Sequence, residues 1–288
     1  MLAQKALDVG ISAIALTDHD TTASHDEMAA ACARVGIEYV TGLEVSLREN
    51  EFPKVRDGQS APRHVHVLAY FVPLDPAHPL QQKLASLRDD RDVRNRELIV
   101  RLQSLGFANL HLDYLVTLAR NVDSIGRPHF AQAMFDLHPE IVGEKTDVAW
   151  NQVFVDWLGS DGRAYIPRVS MPIEEFVSAA EGSGTVFSIA HPLVNYLDSI
   201  TSTNIESVMP RVMASLRERG FAGVEAYYGG TNADVRALMV KLTRDAGMIP
   251  TGGSDYHGHF KEDVSLGFGR SGDLRVPDEI LDELKAAR

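Results

Sequence analysis

Apolar positions along the chain follow two rhythms. Short apolar or β-branched runs, "SAIALT" (12–17), "EYVTGLEVSL" (38–47), "HVHVLAYFV" (64–72), "GTVFSIA" (184–190), "GVEAYY" (223–228) and "GMIPTGG" (247–253), read as strands. Helical spacing fills 1–9, 24–35, 172–182, 204–219 and 231–246. Ser24 and Glu27 stand in the S-x-x-E relation of a capping box, which predicts that the Ser24 side chain starts the second of these helices. Strand, helix, strand in succession predicts an α/β fold with a mostly parallel sheet, open or closed. Residues 78–164 break the alternation, because "LQQKLASLRDDRDVRNRELIVRLQSLGF" is one long charged helix and the remainder is also helical in pattern. The expected organisation is an α/β domain made of 1–77 and 165–288 with a helical insertion at 78–164. On the long helix, Arg88, Arg91, Arg94, Arg96 and Arg101 alternate with Asp89, Asp90, Asp92 and Glu97. That mixture predicts a solvated, salt-bridged face in preference to a substrate-facing patch.

Composition narrows the picture. With 288 residues, 44% of them hydrophobic, the chain has enough apolar material for a substantial core, which excludes a disordered protein. No run of about 18 apolar residues occurs, and "MLAQKALDVG" has polar residues spaced through it, so the expectation is a cytoplasmic protein with no membrane span and no secretory signal. A single cysteine, Cys32, cannot make an internal disulfide or anchor a thiolate site alone. Any metal must then be held by histidine and carboxylate, which suits zinc, manganese or iron. A net charge of −12 argues against a duplex DNA surface, which needs clustered Lys and Arg, but is compatible with a small phosphorylated substrate.

Candidate chemistry collects at the strand ends: Asp18-His19-Asp20, Glu44, His64 and His66, His191, and Asp255, His257 and His259. In an α/β barrel the loops leaving the C-terminal ends of the strands converge on one face, so these groups would share a pocket. Asp18 and Asp20 are expected to accept backbone N–H groups in their turn. His19 and Glu44 are read as metal ligands, since buried carboxylates need cations beside them. His64 and His66 lie two apart and share a face, so one serves as ligand while a backbone carbonyl could satisfy either. His191 precedes Pro192, which predicts an extended backbone with the ring directed outward. Asp255 and His257 have the spacing to grip one ion, and His259 is expected in solvent or behind the ligands. The polar stretch Glu49 to Pro62 reads as a mobile loop that gates the site or as ordinary surface. No G-x-S-x-G elbow, G-x-x-x-x-G-K-[ST] loop or H-E-x-x-H helix occurs, and Ser254 beside Asp255 has no histidine placed for a hydrolase triad.

Together "ALTDHDTTA", "TGLEVS", "VHVLAYF", "GRPHFA", "IAHP" and "GGSDYHG" make the chain resemble the polymerase and histidinol phosphatase (PHP) family of metal-dependent phosphoesterases. Within it, the similarity is to the subgroup of the 5′–3′ exoribonuclease and the 3′,5′-nucleotide bisphosphate phosphatase. The resemblance implies a distorted (β/α)7 TIM-like barrel with an inserted helical domain. It implies that His19, Glu44, His66, His191, Asp255 and His257 hold two or three divalent ions (Mn, Zn or Fe), and that Arg127 and His129 reach the substrate phosphate. Read as bare sequence, Arg127 and His129 equally open a helix. Family members begin with a strand carrying His-x-His and an acid in an "SDG"-like turn, whereas "MLAQKALDVG" aligns with the helix that follows, so the first strand is expected to be absent. The implied activity is hydrolysis of a phosphate monoester of a nucleotide, a 3′,5′-bisphosphate or an RNA end, by metal-activated water. The alternatives are a truncated or degenerate non-catalytic protein that binds metal or nucleotide, a phosphatase of the histidinol-phosphate type, and an amidohydrolase acting on C–N bonds. The expected partner is a small phosphorylated substrate, with neither duplex DNA nor membrane.

Overall fold

The computed structural model describes residues 2–56, 58–119, 125–167, 170–258 and 261–288. The chain opens with helix α1 (Leu2–Asp8), strand β1 (Ala13–Leu16), helix α2 (His25–Val35) and the long strands β2 (Glu38–Arg56) and β3 (Gln59–Tyr70). Helices α3 (Pro79–Ser104), α4 (Leu112–Ala119), α5 (Arg127–Leu137), α6 (Pro139–Val142) and α7 (Asp147–Val153) follow, the last running into a π-helical turn at Phe154–Leu158. The chain then forms α8 (Ile173–Ala179), β4 (Val186–Ile189), α9 (Pro192–Tyr196), α10 (Ser202–Glu218), β5 (Gly223–Tyr228), α11 (Ala233–Asp245), β6 (Ile249–Gly253) and α12 (Glu279–Ala286).

The fold is α/β, and the six strands form one sheet in sequence order. β1/β2, β4/β5 and β5/β6 are parallel, while β2/β3 and β3/β4 are antiparallel. The first antiparallel pair is forced by chain length: only two residues separate β2 from β3, too few for the crossover that a parallel pair requires. Along β3 the pleat buries Val65, Val67 and Ala69 on one face and leaves His64 and His66 on the other. Gly42 suits the place where β2 passes β1 and β3, since a Cβ there would crowd Leu16 O at 3.2 Å and Ala69 O at 3.3 Å.

The chain divides into two compact units, Met1–Lys83 with Ser170–Arg288, and Leu84–Val169. In the first, Val40, Leu68, Tyr70, Val186, Ile280 and Leu284 form one buried cluster, and Ala3, Ala6, Met28, Cys32, Ile37 and Leu266 another. The second unit has its own core, in which Leu98, Leu102, Phe107, Leu115, Phe130, Met134 and Trp157 pack together. Here Arg94 Nε donates to Ile166 O at 3.1 Å and Arg101 Nη2 to Arg163 O at 3.2 Å, so part of the arginine face is spent on backbone carbonyls.

Two local expectations are corrected. α2 begins after Ser24, but the Ser24 side chain makes no cap bond; its hydroxyl is engaged by Asp18 instead. The stretch from Glu49 to Pro62, expected to be a loop, mobile or ordinary, is strand over 49–56 and 59–62, with cross-strand partners such as Glu49 and Arg63 and a register shift between Glu49 and Lys54. Glu49 is fully buried, ion-paired with Arg219 Nη1 at 2.8 Å, and accepts a bond from the Tyr196 hydroxyl at 3.2 Å. A polar sequence thus forms regular structure because its charges are paired.

Candidate metal centre

The turn after β1 is stapled to β2. Asp20 N–H donates to Glu44 O at 2.9 Å, Glu44 N–H to Asp18 O at 3.2 Å, and Asp20 Oδ1 accepts Ser46 N–H at 2.8 Å. This ladder extends the parallel pairing to a bridge between His19 and Glu44, setting imidazole beside carboxylate. His66 stands opposite Ser46 on β3, two residues from Glu44's row and on the same face. β4 then delivers His191, since Ala190 N–H donates to His66 O at 3.0 Å.

Three imidazoles converge on one oxygen. Glu44 Oε1 lies 2.5 Å from His66 Nδ1, 3.2 Å from His191 Nε2 and 4.0 Å from His19 Nδ1. Burial opposes ionisation of Glu44, but the charges of His19 and His66 and the bonds from His191 and His66 outweigh it, holding the carboxyl well below its usual range. Burial likewise opposes protonation of His191, yet the Glu44 contact wins and its pKa is raised. The Nδ1 of His191 is shielded from water and has no hydrogen-bond partner among the described residues. Donor atoms of His19, Glu44 and His66 all lie within 4.8 Å of one another, and nitrogen with carboxylate oxygen is the donor set of zinc, manganese and iron. The residues present fit a divalent ion.

Asp255 and His257 form an adjoining group. His257 Nδ1 lies 3.3 Å from Asp255 Oδ1, and Asp255 Oδ2 accepts from Lys261 Nζ at 2.6 Å and from the Tyr228 hydroxyl at 3.2 Å. The two groups touch through His19 and His257, with ring centroids 6.1 Å apart, and through His191 and Tyr228 at 5.8 Å. Among the described residues, the non-glycine positions with positive φ are Asp20 (56°), Phe71 (58°), His191 (26°) and Asp255 (55°), and all but Phe71 belong to these groups or the turn beside them.

The structure therefore brings His19, Glu44, His66 and His191 together, with Asp255 and His257 alongside. The extended backbone expected at His191 is corrected. Its φ of 26° and ψ of 59° follow from a bond of its N–H to Glu225 Oε2 at 2.5 Å, which turns the chain into α9. His64 turns to Ser170, whose Oγ lies 3.0 Å from His64 Nδ1. His259 lies outside the described residues. Arg127 and His129 open α5 in the second unit, where His129 Nδ1 accepts Gly126 N–H at 3.1 Å, and their expected role toward phosphate rests on the resemblance alone. Sequence reasoning missed Glu225, Tyr228 and Lys261. Glu225 offered the same signal as Glu44, a lone acid on an apolar strand; burial pushes its pKa up to about 8.

The match to known proteins accords with this geometry. The family model of the PHP domain matches residues 1–148. The chain belongs to the PHP domain family. A 3′,5′-nucleoside bisphosphate phosphatase of Chromobacterium violaceum is 30% identical to this PHP chain over 246 residues, covering 85% of the chain and 76% of the relative. A 5′-3′ exoribonuclease of Haemophilus influenzae is 26% identical, over 89% of the chain and 83% of the relative. Among solved structures, a Bifidobacterium adolescentis chain assigned as a metal-dependent phosphoesterase superposes with a TM-score of 0.73 at 24% identity, covering 99% of this PHP chain and 89% of that one. Relatives of this kind are phosphoesterases, and the PHP chain is a hydrolase. No helix among the described residues is long and apolar enough to cross a membrane.

Proposed function

We propose that the protein hydrolyses a phosphate monoester of a nucleotide, either a 3′,5′-bisphosphate or an RNA end. The observation that carries this reading is the convergence of three imidazole nitrogens on Glu44 Oε1. His19, Glu44, His66 and His191 would hold one divalent ion, and Asp255 with His257 would contribute to a second. Ions so held supply Lewis acidity and bring the pKa of water toward about 7.

The chain's own residues have separable tasks. Glu44, held ionised by its histidines, provides fixed negative charge at the floor of the site. Glu225 sets the His191 backbone through its N–H, and so fixes the direction in which the ring presents Nε2. Lys261 and Tyr228 both bond Oδ2 of Asp255, leaving Oδ1 as the oxygen that faces His257. The six-stranded sheet would form part of a distorted (β/α)7 barrel, whose sequence the second unit interrupts.

The test is manganese-dependent phosphate release from adenosine 3′,5′-bisphosphate. The wild type should turn over, and Glu44→Gln should fall by at least about a thousandfold, with its metal content lost in parallel. Equal activity in the two proteins would overturn the reading.

A further inference from the structure

His191 differs from its neighbours in the way its backbone is held. His19, Glu44 and His66 are set by strand pairing, whereas His191 sits at φ 26° and ψ 59° between β4 and the five-residue helix α9. An L-residue rarely adopts that conformation, so the peptide groups on both sides of it must be restrained. The one before it is held at each end: His191 N–H donates to Glu225 Oε2 at 2.5 Å, and Ala190 O accepts from Asn195 Nδ2 at 2.8 Å. The one after it is held by α9, since His191 O accepts from Val194 N–H at 3.0 Å and from Asn195 N–H at 3.3 Å. Asn195 therefore bonds the carbonyls on both sides of the His191 Cα. Two peptide planes fixed about one Cα fix the direction of its Cβ, and with it the line along which Nε2 approaches Glu44 Oε1 at 3.2 Å.

A helix as short as α9 cannot hold that geometry by its own hydrogen bonds. Its last two residues are gripped instead by the outer half of the β2/β3 hairpin. Glu49 and Arg63 pair directly across the hairpin and so project from one face. Arg63 Nη1 donates to Asn195 O at 3.2 Å while its Nε donates to Phe52 O at 2.9 Å, and Glu49 Oε2 accepts from the Tyr196 hydroxyl at 3.2 Å. The buried Tyr196 ring meets Phe52 edge-on, with centroids 6.0 Å apart. A planar guanidinium bonded to two backbone carbonyls makes a stiff brace between β2 and α9. Its line of force runs from Arg63 through Asn195 to His191.

We propose that Asn195, braced by Arg63, is a positioning residue that aims the His191 imidazole into the metal centre, so that the outer half of the hairpin sets the affinity for the ion. The inference rests on the function proposed above and deepens it, by adding two residues that act on the site through His191.

The experiment reads manganese affinity by electron paramagnetic resonance and, in metal-free protein, the ring-nitrogen NMR signals of His191, assigned with His191→Ala. The variants are Asn195→Asp, which keeps the volume but turns the donor facing Ala190 O into an acceptor, Asn195→Ala and Arg63→Met, each first checked for a cooperative thermal melt. Should Asn195→Asp not fold, the other two decide. Asn195→Asp should weaken manganese about tenfold, and Asn195→Ala and Arg63→Met about threefold. In a His191→Ala background Asn195→Asp should change the remaining affinity by less than about twofold, a dependence on the ring that a role in folding alone would not show. Without metal, the His191 signals should shift in all three variants while those of His25 stay in place. Wild-type affinity with an unmoved His191 signal, or an equal loss with and without the ring, would overturn the proposal. A wild type that binds no manganese would instead overturn the metal centre, and the metal-free spectra would still decide whether Asn195 and Arg63 set the ring.

Discussion

At the scale of single residues, two histidines with the same chemistry are put to opposite uses. His66 is drawn toward Glu44 and the candidate centre, whereas His25 is buried among neutral partners, donating from Nε2 to Gly42 O at 2.8 Å and accepting at Nδ1 from the Tyr39 hydroxyl. Burial holds His25 below its ordinary value of 6.5, and the weaker favourable contacts with Gly42 O, Asp18 and Asp26 do not restore it. The sign of the consequence follows from proton uptake. As pH falls below about 6.5 the unfolded chain takes up a proton at position 25 that the folded one refuses, so stability should decline on that side. Urea denaturation of wild type and His25→Gln between pH 7 and about 5 checks this; the variant should show a shallower decline, and parallel profiles would refute it. The sequence marked His66 as a ligand candidate through its motif, but gave no sign of the part His25 plays; the hydrogen bond that seats it against Gly42 O comes only from the packing of α2 on β2.

At the scale of elements, the alternation of apolar runs and helical spacing located all six strands and most helices of the first unit, with β5 matching its expected 223–228 span. What it could not show was cross-strand pairing among polar residues. The outer half of the β2/β3 hairpin carries Arg, Glu, Lys, Pro and Gly, which read as loop, and its order comes from contacts with α9 and α10 distant in sequence. α12 escaped notice too, although Ile280 and Leu284 are spaced to bury one face of it. The buried Glu49 carboxylate is the pivot of the hairpin. Glu49→Ala should cost about 3–5 kcal/mol by stranding the Arg219 charge, measured by urea denaturation, while the double change Glu49→Leu with Arg219→Met should recover much of it. A single-variant loss below about 1 kcal/mol would show the pair to be incidental.

At the scale of the whole molecule, the ligand candidates span positions 19 to 257, so any ion they share ties β1, β2, β3, β4 and the loop after β6 into one unit. Manganese should therefore stabilise the folded state as a whole. At a hundredfold excess over its Kd the gain is about 2.7 kcal/mol, visible as a rise in Tm that Glu44→Gln abolishes. A melt insensitive to manganese in the wild type would argue against a shared ion. The family itself was legible in the sequence, because six short motifs occur together along the chain; the pairing of Glu49 with Arg219 was not, because nothing in "SLREN" announces a partner 170 residues away.

The left-handed backbone at His191 sets durability and chemistry against each other at a single codon. At Asp20 and Asp255 glycine would forfeit the carboxylates that hold Ser46 N–H and Lys261, whereas at position 191 it would relieve a conformational cost of up to about 1 kcal/mol and delete only the imidazole that meets Glu44. A library screened only for heat resistance should accordingly drift toward glycine at position 191, and its hardiest survivors would be the ones that have stopped being enzymes.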